Sequence, residues 1–117
     1  MTDIQHRDLS ASRWSTLSLV EQLGHVGSEI SRTIRWTPSN PALAQGALYR
    51  ALELMDLTLA DTGRRLSRAR LREIARTREV IVDFFAGSNE YGSTAAGLQK
   101  YFDAYALAAR KVVKTTT

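Results

Sequence analysis

The stretch "SNPALAQGALYRALELMDLTLADTG" (residues 39–63) decides the class of the fold, because it carries its own start and stop signals. Asn40 is a good helix N-cap, and Pro41 suits the first helical position, where its missing N–H has no partner to lose. Gly63 serves as a left-handed cap at the far end. Between them Leu43, Ala47, Leu48, Ala51, Leu52, Leu54, Met55 and Leu59 cover well over half of a helical wheel. A helix so widely apolar is expected at the centre of a bundle.

Upstream, "TPSNP" (residues 37–41) breaks the chain, and residues 19–36 form a first helix. Ser18 stands three before Glu21, which is a capping box. Leu19, Leu23, Val26, Ile30 and Ile34 share one face by their spacing of three and four. Gly24, Gly27, Ser28 and Ser31 form a strip of small residues beside it. A glycine costs a helix interior about 1 kcal/mol against alanine, so two of them point to another helix passing close to this backbone.

Downstream, residues 67–87 read as a third helix with Leu71, Ile74, Ile81, Val82 and Phe85 on its core face. Residues 93–113 read as a fourth, with Leu98, Tyr101, Phe102, Tyr105, Ala108, Ala109 and Val112 on its face. Connections of a few residues favour antiparallel neighbours. The expected fold is therefore all-α, an up-and-down antiparallel four-helix bundle over residues 18–113. Residues 1–17 read as an irregular N-terminal segment with Trp14 as its one large apolar anchor, and "KTTT" (residues 114–117) as a disordered tail.

The junction "FFAGSNEYGST" (residues 84–94) is more specified than a linker needs. Gly87 reads as the end of one helix, Ser93 as the cap of the next, Gly92 as the turn residue and Asn89 as a tolerant left-handed position. Glu90 and Tyr91 have no such duty. Tyr91 reads either as a lid folded over the end of the bundle or as a ligand-facing side chain.

The totals bound the function. At 117 residues there is room for one domain with one core. Hydrophobic residues at 44% and charged residues at 24% are ordinary for a soluble globular protein. No run approaches the ~18 apolar residues of a membrane span, and "MTDIQHRDLS" has no apolar signal-peptide core. A cytoplasmic protein is expected. The absence of cysteine excludes disulfides, thiol catalysis and thiolate metal sites. A net charge of +4 and a pI near 9.9 lean toward an acidic partner, of which nucleic acid is the common one.

Three constellations could carry chemistry. Arg65, Arg68, Arg72 and Arg76 fall within roughly 80° of the third helix's wheel, with Arg64 close by. They make a phosphate-tracking ridge, or else a solvated face balanced further on by Glu79 and Asp83. Arg78 falls on the apolar side of the same wheel. A buried guanidinium needs a carboxylate, and Asp56 is the best candidate, with Glu53 and Glu29 as alternatives. The pair sets helix register, or it marks a polar site inside the bundle. Last, Glu53 with Asp56 and Glu79 with Asp83 could hold a divalent metal between facing helices.

Other signatures are missing. "ELMD" fits half of the carboxylate motif of all-helical nucleotide pyrophosphohydrolases, without the companion E-E-x-x-E. His6 and His25 supply no di-iron Glu-x-x-His, and no Arg-x(4–6)-His element of the HEPN ribonucleases is present. His25, four from both Glu21 and Glu29, reads as an exposed member of a salt-linked row. No Gly-rich phosphate loop or nucleophile triad occurs, and no cofactor is implied.

The segments "GSEISRTIRW", "ALYRALELMDLTLAD", "REVIVDFFAGSNEYGST" and "YFDAYALAAR", with the length, charge and cap placement, resemble in architecture the small bacterial four-helix-bundle proteins of the ribosomal-RNA intervening-sequence type. The likeness spans residues 18–113. It implies an oligomer, of ring form in that family, and nucleic-acid binding of the kind by which some members assist reverse transcriptases. The family's turn region before the second helix has no match here, and the four segments together look like a bacterial bundle family of their own. The expected function is a non-catalytic binding or assembly protein, self-associating and contacting RNA or DNA through the arginine ridge. A metal-dependent nucleotide hydrolase and a protein-only adaptor for an unidentified partner are the alternatives.

Overall fold

A computed structural model describes residues 13–61 and 66–116, with side chains to Lys111. Gly63 and Val112 therefore lie outside the residues whose side chains are described. Four long helices follow in order: α1 (Leu19–Trp36), α2 (Pro41–Ala60), α3 (Arg68–Ala86) and α4 (Ala95–Thr116). A helical turn at 13–15 precedes them, and no strand occurs among the described residues. The radius of gyration is 14.6 Å, close to the ~13 Å of a globule of 100 residues. No described helix is long and apolar enough to cross a membrane.

The caps are where local chemistry puts them. The Ser18 hydroxyl accepts the Glu21 N–H at 3.1 Å, and the Glu21 carboxylate accepts the Ser18 N–H at 3.1 Å, so two otherwise unpaired donors at the start of α1 are satisfied. Asn40 Oδ1 accepts from Leu43 N, with Pro41 at the first position of α2. Ser67 caps α3 through the Arg70 N–H. Two expectations shift at the fourth helix. Thr94 rather than Ser93 is the cap, its hydroxyl accepting the Gly97 N–H at 3.0 Å, and α4 runs to Thr116, over positions expected to form the tail.

The core joins Leu23, Val26 and Ile30 of α1 to Ala51 and Met55 of α2, Ile74 and Ile81 of α3, and Leu98 and Phe102 of α4. Burying a side chain such as Phe102 stabilises the fold by about 1.5–3 kcal/mol. The closest backbone approaches are of α1 to α2 and of α1 to α4, while α3 lies against α2. The small-residue strip explains the second approach. A Cβ on Gly27 would lie 2.7 Å from the Phe102 Cβ, and one on Gly24 would lie 3.6 Å from the Ala106 Cα. Further along the same strip, Gln99 Nε2 donates to the Ser31 hydroxyl at 2.6 Å.

The turn at 13–15 is part of this packing rather than irregular chain. Trp14 is buried, and its indole N–H donates to the Thr58 hydroxyl at 2.9 Å. Its carbonyl accepts from Gln22 Nε2 at 2.8 Å, and its ring lies 5.9 Å from that of His25. His25 is exposed, as expected. Its expected neighbour Glu29 is instead buried and turned to two arginines.

Candidate functional site

The arginines of α3 are the first candidate. Arg68, Arg72 and Arg76 recur one turn apart and all three are exposed. None of their side chains has an ion pair or hydrogen bond among the described residues. Arg64 and Arg65 lie outside those residues. Arg70, on a neighbouring face, is engaged by Glu73 at 3.2 Å and by the Tyr105 hydroxyl.

The nearby carboxylates are committed elsewhere. Glu73 takes Arg70 on one oxygen and the hydroxyls of Tyr101 and Tyr105 on the other, at 3.0 and 3.3 Å. These tyrosines bridge α3 to α4, whose backbones stand further apart than the other neighbouring pairs. Burial comes first among the influences that push the Tyr101 phenol above its ordinary value. Asp83 accepts the backbone N–H groups of Glu90 and Tyr91 at 2.8 and 3.0 Å.

The junction before α4 is thereby explained. Asn89 takes a left-handed conformation, φ 56°, and its amide both donates to the Ser93 carbonyl and accepts the Ser93 N–H. Gly92, φ 64°, donates its N–H to the Asn89 carbonyl. Gly87 ends α3 in an extended conformation, and the left-handed positions are Asn89 and Gly92, where they were expected. Tyr91 does not form a lid over the end of the helices. It is 53% exposed, and its hydroxyl donates to Glu79 Oε2 at 3.2 Å. That bond is the leading cause holding the Tyr91 phenol above its ordinary value, and the nearby Arg76 charge opposes it. Tyr91 and Arg76 line one groove of about 510 Å³ between α3 and α4, together with Thr77 and Tyr101.

The predicted polar pair forms but lies at the surface. Arg78 holds Asp56 with two bonds, Nε–Oδ1 at 2.7 Å and Nη2–Oδ2 at 3.3 Å. The Arg78 side chain is 34% exposed and that of Asp56 58%, so this is no buried guanidinium. The wheel placed Arg78 between Leu71 and Ile81, but Leu71 is itself 37% exposed, and the apolar arc is narrower there than its composition implies. Glu53 is exposed, and the Arg78 guanidinium bonds to Asp56 instead. The buried carboxylate is Glu29, which pairs with Arg32 and, across to α2, with Arg50 at 3.0 Å. Arg50 was not singled out in the sequence, since nothing local links it to a residue 21 positions away.

The carboxylates weighed for a metal do not converge. Asp56 is turned to Arg78, Glu79 to Tyr91 and Asp83 to the loop backbone. No three His, Asp or Glu side chains gather among the described residues. A separate apolar cleft of about 640 Å³ opens where Ile34, Pro38, Leu48, Tyr49, Phe84 and Phe85 meet.

No protein-family model matches the chain, and no curated protein or solved structure matches it.

Proposed function

We propose that the protein is a non-catalytic binding protein whose contact surface for nucleic acid is the Arg68–Arg72–Arg76 ridge of α3. One observation carries this reading: three guanidinium groups stand exposed one helical turn apart with no ion pair or hydrogen bond among the described residues, while Glu73, Glu79 and Asp83 of the same helix are engaged by tyrosines, Arg70 and loop amides. A row of unpaired cations attracts the phosphate backbone and releases its counterions. The net charge of +4 acts in the same sense.

The same proposal includes an up-and-down four-helix arrangement. The ends of α1 and α3 and the starts of α2 and α4 all contribute to the apolar cleft, which supports alternating directions. Self-association and a cytoplasmic setting belong to the reading as well, in the manner of the ribosomal-RNA intervening-sequence bundles. Half-exposed Leu43 and Tyr49 on α2 and Leu107 on α4 supply apolar surface for a second copy.

The test is RNA and DNA binding by fluorescence anisotropy across a salt series. Replacing Arg68, Arg72 and Arg76 together by alanine is expected to weaken binding and to flatten the salt slope by about 2. An unchanged slope in the folded triple variant removes the ridge as the contact surface.

A further inference from the structure

Resting on the ridge as the phosphate contact, we propose that the ligand is a single strand, with Tyr91 as the platform on which one unpaired base stacks. From the linear sequence the arginine stripe has no aromatic among its members, and base stacking is not indicated. The fold supplies one. The loop between α3 and α4 carries Tyr91 back to α3, where its hydroxyl is held by Glu79 at 3.2 Å and its ring shares a groove with Arg76. The residue is 53% exposed, and the Asp83 clamp on its backbone N–H, with the Glu79 bond on its hydroxyl, holds the residue at its main chain and at the tip of its ring. An aromatic held at those two points loses little freedom on binding.

The charge pattern decides what reaches it. From Arg68 to Arg76 the helix face is cationic, and beyond Arg76 it turns anionic at Glu79 and Asp83. A phosphate track therefore ends at Arg76, because the next turn repels phosphate. The nucleotide there is met by its base, which carries no charge and stacks on any exposed π-face. In a duplex that base is already paired and stacked, and freeing it costs several kcal/mol. A single strand offers it at little cost.

The experiment measures anisotropy of labelled oligouridine and oligothymidine of about 12 nucleotides against a self-complementary RNA duplex of equal length, using the full chain. Tyr91→Ala is expected to weaken single-strand binding about 5- to 150-fold and to leave duplex binding unchanged. Tyr91→Phe, which keeps the ring and loses the Glu79 bond, is expected to retain most of the affinity. If Tyr91→Ala binds single strands like the parent while the triple arginine variant loses them, the platform is refuted and the ridge stands. If Tyr91→Ala lowers duplex and single-strand binding equally, Tyr91 acts through the ridge and the platform is refuted. If the parent shows no salt-dependent binding to any of the three probes, the ridge fails and the platform with it.

Discussion

The carboxylate of Asp83 accepts the backbone N–H of Tyr91 at 3.0 Å, and with it that of Glu90 at 2.8 Å. One α3 side chain thus closes the turn that leads into α4. Charge-assisted bonds of this kind contribute about 1.5–3 kcal/mol each at most, and less at an exposed site. Asp83→Ala is expected to cost about 1–2 kcal/mol in urea denaturation and to speed hydrogen exchange at the Glu90 and Tyr91 amides. Slow exchange retained at both amides in that variant would show the loop to be held by Asn89 and Gly92 alone.

Two glycines of α1 predict opposite signs. A methyl on Gly27 meets Phe102 Cβ at 2.7 Å, so Gly27→Ala forces α1 and α4 apart and is expected to destabilise by about 1–3 kcal/mol. A methyl on Gly24 finds Ala106 at 3.6 Å, an ordinary contact, and the gain in helix propensity is about 1 kcal/mol. Gly24→Ala is therefore expected to be neutral or stabilising. Melting temperatures of the two variants side by side decide it.

The two ion pairs rank by burial. Arg78 and Asp56 are both substantially exposed, so Arg78→Ala is expected to cost about 0–1 kcal/mol, against the roughly 3–5 kcal/mol of a buried pair. Glu29 is only 11% exposed and binds two arginines from two helices. Glu29→Ala is expected to cost more, about 1–3 kcal/mol, with positive coupling to Arg50→Ala in a double-mutant cycle. A larger loss at Arg78 than at Glu29 would reverse this ranking.

Stability should fall at both pH extremes for identifiable reasons. The Ser18 N–H, and next the Ser18 hydroxyl, hold the Glu21 carboxyl below its ordinary 4.5. A depressed folded value gives stability that is present above the unfolded value and is lost as pH falls through the folded one. Tyr101 is the converse: burial first, then the Tyr105 hydroxyl and the Glu73 carboxylate, hold the phenol above its ordinary 10.0 against the opposing hydrogen bond from Thr77. Its contribution is full below pH 10.0 and is lost as pH rises toward the folded value. Glu21→Gln is expected to flatten the acid limb of the stability profile and Tyr101→Phe the alkaline limb, both read from urea midpoints across pH. Parallel limbs in parent and variants would place the titrating groups elsewhere.

What lay in the sequence was local chemistry. The capping box of Ser18 and Glu21, the Asn40–Pro41 start and the Ser67 cap each depend on residues within four positions, so spacing and residue type settle them. Gly24 and Gly27 announced a close helix for the same reason: their cost to α1 needs a packing return. Even the Asp56–Arg78 partnership was legible, as an opposite pair on adjoining faces. Its exposure was not, because a helical wheel gives an angle and not the distance to the next helix.

Tertiary structure alone decided the rest. Glu29 with Arg50, Tyr101 with Thr77 and Tyr105 with Glu73 join residues 21, 24 and 32 positions apart, and no periodicity within one helix encodes such a meeting. Tyr91 is the sharpest case. In the chain it is a spare aromatic in a turn. In the fold the left-handed Asn89 and the Asp83 clamp set it beside Arg76, because the direction of a loop depends on backbone angles and on what its amides find to bond.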